Sequence, residues 1–132
     1  MNSFQGNIKN IESDGNLSML EIEVSSVIFH VLIVDNSTTS KNIVLGKKVT
    51  CMWKETEVIL SKNPMEISLE NCFSCTTKSI EKEKLLSKVI LISSFGEVHA
   101  IISSKSLEKM NLKTKESVFA MINSNEIMLS YD

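Results

Sequence analysis

The sequence contains no arginine: all 14 basic residues among its 132 are lysine. An anion bound here is therefore held without the guanidinium fork, by lysine ammonium groups, hydroxyls and backbone N–H groups. An AT-rich coding bias is enough to account for the lysine usage, and the consequence for ligand chemistry is the same. Aromatics are scarce, with 5 Phe, 1 Trp and 1 Tyr, and no basic stripe runs between them, which excludes a stacking platform for single-stranded nucleic acid. Sixteen acidic residues against 14 basic give a net charge of −2, too near neutral for a protein that grips a phosphate backbone. The longest apolar runs, such as Val31–Val34, are strand-sized and far too short to span a membrane. Three cysteines (Cys51, Cys72, Cys75) form no disulfide framework and point to a reducing compartment, the cytoplasm. Met1–Gly6 shows no basic stretch followed by an apolar one, so no secretory signal is expected. At 42% hydrophobic and 23% charged residues the chain reads as globular, with room for one ordinary domain or two very small ones.

What is present is an internal repeat. At an offset of 69 residues, Asn2 falls on Asn71, Phe4 on Phe73, Lys9 on Lys78, His30 on His99, Ser37 on Ser106, Val49 on Val118, Glu57 on Glu126 and Leu60-Ser61 on Leu129-Ser130. No gap is needed, about a quarter of the pairs are identical, and most of the rest conserve apolar character. The expected organisation is a first copy over 1–62, a linker over 63–69 that holds the single proline, Pro64, and a second copy over 70–132.

Each copy is patterned for strands. Met19–Val24 alternates into Val27–Ile33, and Lys88–Ile92 and Val98–Ile102 repeat the arrangement, with Phe95-Gly96-Glu97 as the hairpin turn. Ser37–Ser40 and Ser103–Ser106 offer cap hydroxyls for a short helical turn in each copy. Lys48–Trp53 and Ser117–Ile122 then read as strands, followed by the short Val58–Leu60 and Ile127–Leu129. Five short strands and a helical turn in about 60 residues is the size of a small OB-like barrel. The fold class expected is all-β: two tandem small OB-like β-barrels, each with a short helical turn. A unit that small buries too little surface to be stable alone, so the copies should pack on each other and chains should associate.

The order Asn2-x-Phe4-x-Gly6-x-Ile8-x-x-Ile11, an alternating strand into Ile33 with Ser37, Leu45–Val49 and Trp53–Leu60, found in both copies, resembles the Mop or TOBE domain. The tandem arrangement resembles a di-Mop molbindin over nearly the whole chain. The resemblance implies binding of molybdate or tungstate by a homotrimer, with the anions held between barrels and no organic cofactor. Sites of this family use a Ser-Ala-Arg-Asn-like lead-in, a Thr-x-x-Ser after the second hairpin strand, and a Lys with the residue after it. Such donors suit a tetrahedral dianion, which has only acceptor oxygens. Carried over, the pattern gives Lys54 and Ser37 in copy one, where Val34 replaces the Thr. In copy two it gives Ser103 and Ser106, with Ser68 in the lead-in and Ser124 after the lysine position. There Glu70 replaces the Arg and Asn123 the Lys. The departures are complementary, so Ser103, Ser106 and Lys54 form a composite candidate site across the two copies.

Other candidates are read more simply. Cys72-Phe73-Ser74-Cys75 has no second pair or nearby His for zinc, His30 and His99 read as interface or surface residues, and Trp53 belongs to strand-end packing. No nucleophile elbow, phosphate loop or clustered carboxylate pair is visible, so no enzyme and no metal site is expected. The function expected is cytoplasmic storage or homeostasis of molybdate or tungstate, without nucleic-acid or membrane partners. The alternative is a sensing or assembly module acting in trans on a molybdate regulator or transporter. A small-molecule or pterin carrier is a weaker third.

Overall fold

The computed structural model describes residues 1–63 and 66–132; Pro64 and Met65, in the linker, lie outside the described residues. Within the first repeat are β1 (Asn2–Asp14), β2 (Leu17–Val24), β3 (Val27–Ile33), β4 (Lys48–Trp53) and β5 (Ile59–Ser61). The second contains β6 (Asn71–Lys82), β7 (Leu86–Ser93), β8 (Gly96–Ser103), helix α1 (Ser104–Met110), β9 (Ser117–Ile122) and β10 (Met128–Tyr131). Short 3-10 turns, Glu55–Glu57 and Ser124–Glu126, precede β5 and β10. Alternation produces these strands as expected: in β4, Val49, Cys51 and Trp53 point inward while the residues between them do not. The chain is all-β, two small OB-like barrels in tandem.

The two sheets run β10-β4-β1-β2-β3 and β5-β9-β6-β7-β8. Each last strand is therefore exchanged. β10 pairs antiparallel with β4, Leu129 opposite Cys51, and β5 pairs with β9, Leu60 opposite Ala120. The linker expected over 63–69 separates the two sequence copies, but the hydrogen-bonded sheets each take strands from both copies. β1 and β6 are long enough to serve two neighbours each, and both shift register at equivalent places, between Ile8 and Asn10 and between Thr77 and Ser79. A bulge there bends the strand from one partner to the next. At Gly6 the strands approach so closely that a Cβ would lie 2.5 Å from the Glu23 carbonyl oxygen, so only glycine fits.

One hydrophobic core runs through both barrels. At its centre Phe4, Phe29 and Trp53 of the first repeat meet Phe73 and Phe95 of the second, with ring centroids 4.8–5.8 Å apart, the spacing of attractive aromatic pairs. Phe95 explains a difference from the expected hairpin. The turn is Ser94-Phe95, with Ser93 opposite Gly96, because the Phe95 ring is drawn into this cluster. Gly96, at φ +139°, packs against the Phe4 ring.

Two asparagines join the barrels reciprocally. Asn2 Nδ2 donates to the His99 carbonyl at 2.9 Å and its Oδ1 accepts from the His99 N–H at 2.8 Å. Asn71 does the same to His30 at 2.8 and 2.7 Å. Each amide acts as a single peptide unit added to the edge of β8 or β3. Both are buried, so their hydrogen bonds are made out of water, where leaving a partner unpaired is costly.

The helical turn forms in only one repeat. Ser103 caps α1, its Oγ accepting from the Ser106 N–H at 3.0 Å. The equivalent residue in the first repeat is Val34, which has no acceptor and lies 75% exposed. Ser37, expected to cap there, makes no such bond. Asn36 organises the segment instead, its Oδ1 accepting from the Thr38 and Thr39 N–H groups, a turn that competes with helix.

Burial pushes the Cys51 and Cys75 thiols up to about 12, with Cys72 beside Cys75 as a lesser cause, whereas Cys72 is exposed. Since the thiolate is the nucleophile, a thiol reagent at about pH 8 is expected to modify Cys72 alone in the native protein and all three cysteines in denaturant. Rapid native modification of Cys51 would contradict this packing.

Candidate functional site

The barrels meet along a seam built twice by the repeat: the Glu55–Glu57 turn packs on β8, and the Ser124–Glu126 turn on β3. On the first side lies a cleft of about 420 Å³. The first repeat lines it with Thr56, Val58, Ile59 and Leu60, and the second with Ile101, Ile102, Ser103, Ser106, Lys109 and Met110. Of the three residues expected to form a composite site, Ser103 and Ser106 line this cleft and Lys54 does not. Thr56, two residues beyond Lys54, lines it, and the cation among its lining residues is Lys109 rather than Lys54.

The donors are already partly committed. Ser103 Oγ accepts from the Ser106 N–H and donates to Ser106 Oγ at 2.8 Å. A hydroxyl has one proton to give, so the free O–H of this pair is that of Ser106. Lys109 is exposed and makes no ion pair among the described residues. At the mirror position across the seam stand Val34, Ser37 and Ser40, so that side has neither the helix nor the lysine. Ser37 is exposed, as is Ser68. Ser124 is buried, and its Oγ donates to Glu70 Oε1 at 3.4 Å, so it spends its proton on the carboxylate that stands in the lead-in.

Lys54 caps the Glu55–Glu57 turn. Its backbone N–H donates to Glu57 Oε1 at 2.9 Å and its carbonyl accepts from the Glu57 N–H at 3.0 Å. Its ammonium charge acts on Glu126. Glu57 and Glu126, equivalent in the repeat, line a second cleft of about 270 Å³ with Thr56, Ile59, Leu69 and Asn123, close enough for their carboxyl groups to act on each other. The expectation that no carboxylate pair clusters is therefore corrected. The two glutamates are 69 positions apart in sequence, and only the two-fold relation of the barrels brings them together. Hydrogen bonding to Glu57, then the charge of Glu57, then burial raise the Glu126 pKa, with Lys54 opposing. A carboxyl whose folded pKa is raised holds its proton more tightly in the native state, so ionising the pair lowers stability above the ordinary carboxylate pKa, and acid relieves this. Glu126→Gln is expected to melt higher than the parent at about pH 7, the difference vanishing near pH 4. A lower melting temperature at both pH values would refute the pairing.

The asparagine latches and the carboxylate pair were missed by sequence reasoning. The signal available was that Asn2/Asn71, His30/His99 and Glu57/Glu126 are identical pairs in the repeat. Symmetry-related residues that are polar and retained in both copies are candidates for contacts at the axis between them.

The fold and this seam define a tandem OB-like double barrel with ligand-sized clefts between its halves. No protein-family model matches the chain, and no curated protein matches it either. Among solved structures, the chain is similar to a crystal structure of the cytoplasmic molybdate-binding protein ModG with molybdate bound. The TM-score is 0.92 at 21% sequence identity, covering 99% of this chain and 96% of that one. That likeness shows a shared fold over the full length. No helix among the described residues is long and apolar enough to cross a membrane.

Proposed function

We propose that this protein is a non-enzymatic, cytoplasmic oxyanion-binding protein that takes molybdate or tungstate for storage or homeostasis, in a homo-oligomer, a trimer by resemblance to the di-Mop molbindins. The observation that carries the reading is the full-length match in fold to a protein solved with molybdate bound. Two features of this chain support it. A Thr-x-x-Ser-like pair, Ser103 and Ser106, sits at a barrel–barrel cleft, and the unpaired cysteines suit a reducing compartment. The candidate donors are the Ser106 hydroxyl and Lys54, with Ser103 holding Ser106 in place, and Ser37 and Ser68 at the equivalent elements, where Ser124 is engaged by Glu70. Neutral hydroxyls and a small number of ammonium groups suit an anion whose oxygens only accept.

Equilibrium dialysis of the intact protein with molybdate, tungstate and sulfate tests this reading. Binding of the first two is expected, and Ser106→Ala and Lys54→Ala should each weaken it roughly tenfold, the worth of one charge-assisted hydrogen bond of about 1.5 kcal/mol. Absence of molybdate and tungstate binding would overturn the proposal. The alternative, an assembly or sensing module acting in trans, is favoured by one observation: Glu70 occupies Ser124 and Val34 removes a hydroxyl, so one side of the seam has lost donors. A chain that binds no oxyanion but captures a molybdate regulator or transporter would establish it.

A further inference from the structure

We infer that the seam cleft at Ser106 and Lys109 also binds a small amphipathic organic anion, one per chain. The inference rests on the cleft's size and walls and does not depend on the oxyanion reading. A volume of about 420 Å³ falls within the ~300–1,000 Å³ of sites for organic ligands, and four oxygens around one metal atom would leave most of it unfilled. The walls also offer more than an inorganic ion would use. Val58, Ile59, Leu60, Ile101, Ile102 and Met110 line the cleft and offer no side-chain donor to an oxyanion, while an apolar body gains free energy by covering them. Ile59 is 47% exposed, so the apolar wall is open to a ligand.

The polar groups are few and grouped. Ser106 and Lys109 are three residues apart on α1 and share one helix face. Ser106 has its O–H free because Ser103 supplies the bond between them, and Lys109 has no ion-pair partner among the described residues. Together they recognise one anionic head group. The opposite wall is held firmly. β5 is paired with β9, and Lys62, the residue after it, donates to the Asn111 carbonyl at 3.1 Å and pairs with Glu116 at 3.0 Å. The mirror position presents Val34, Ser37 and Ser40 without a lysine at the equivalent point, and this sets the stoichiometry at one.

The test uses the intact protein and two dyes with nearly the same rings: 1-anilinonaphthalene-8-sulfonate, which carries an anionic head, and N-phenyl-1-naphthylamine, which does not. Fluorescence titration is expected to give one sulfonate dye per chain. Lys109→Gln should weaken that dye about five- to tenfold and leave the neutral dye unchanged, while Lys105→Gln, an exposed neighbour outside the cleft lining, should affect neither. Leu60→Asp should reduce binding of both. Displacement by phenylacetate but not phenyl phosphate assigns a carboxylate head, and the reverse a phosphate monoester. Displacement by neither, a sulfonate-dye affinity unchanged in Lys109→Gln, or two dyes per chain would overturn the inference. Dialysis with molybdate on the same sample separates the two readings, since oxyanion binding without dye binding sinks only this one.

Discussion

Phe29→Ala is expected to destabilise the entire chain by about 3–5 kcal/mol in urea unfolding, the cost of truncating a large buried aromatic and leaving a cavity. Phe29 is fully buried, its ring 5.3 Å from Trp53 in its own repeat and 5.8 and 5.2 Å from Phe73 and Phe95 in the other. The lost contacts therefore belong to both barrels, and the cavity opens where they join. Trp53, the sole tryptophan, reports on the first barrel, and circular dichroism reports on both. The two signals should change together in one transition, in the parent and in the variant. A loss below about 1 kcal/mol would show that the cluster contributes no more than a surface contact does. Separate transitions, with only the tryptophan signal shifted, would show barrels that fold independently.

The second large effect comes from strand exchange. Residues 1–62, produced alone, are expected to lack a cooperative unfolding transition as a monomer, and residues 66–132 likewise. The first fragment has β4 without β10 across its outer edge and carries β5 with no β9 to pair with. The second is the converse. Each also loses the Asn–His latch made by the other. Units of about 60 residues already bury a marginal fraction of their surface, so a missing strand is not tolerated. Mixing the fragments should recover a one-to-one complex with the β signal of the intact chain, seen by size exclusion and circular dichroism. A folded monomer of either fragment would refute the exchange.

Local physics was legible in the sequence. β3 and β4 occupy the residues that alternation predicted, and the Ser103 cap makes the bond its position implies, because each depends on neighbours a few residues away. The helix expected after Ser37 failed for a reason also visible in the sequence, the valine at the cap position. The repeat showed that there are two barrels, and Ser103 and Ser106 could be placed at the seam between them.

Other features needed the tertiary structure. Alternation says that Val58–Leu60 and Ile127–Leu129 form strands but not which edge each will join, since both open edges offer the same backbone groups. The exchange is decided by the path of the chain across the seam. The same path gathers five aromatics into one core, turns two asparagines into reciprocal latches and sets Glu57 against Glu126. It also brings Lys109 to the cleft that Thr56 lines. All of these are contacts between residues distant in sequence, and those of the aromatics and the asparagines draw their strength from being shielded from water where the barrels meet. Sequence alone determined the strands of each repeat; the surface where the repeats meet, and hence which donors line the clefts between them, was decided only by how they pack.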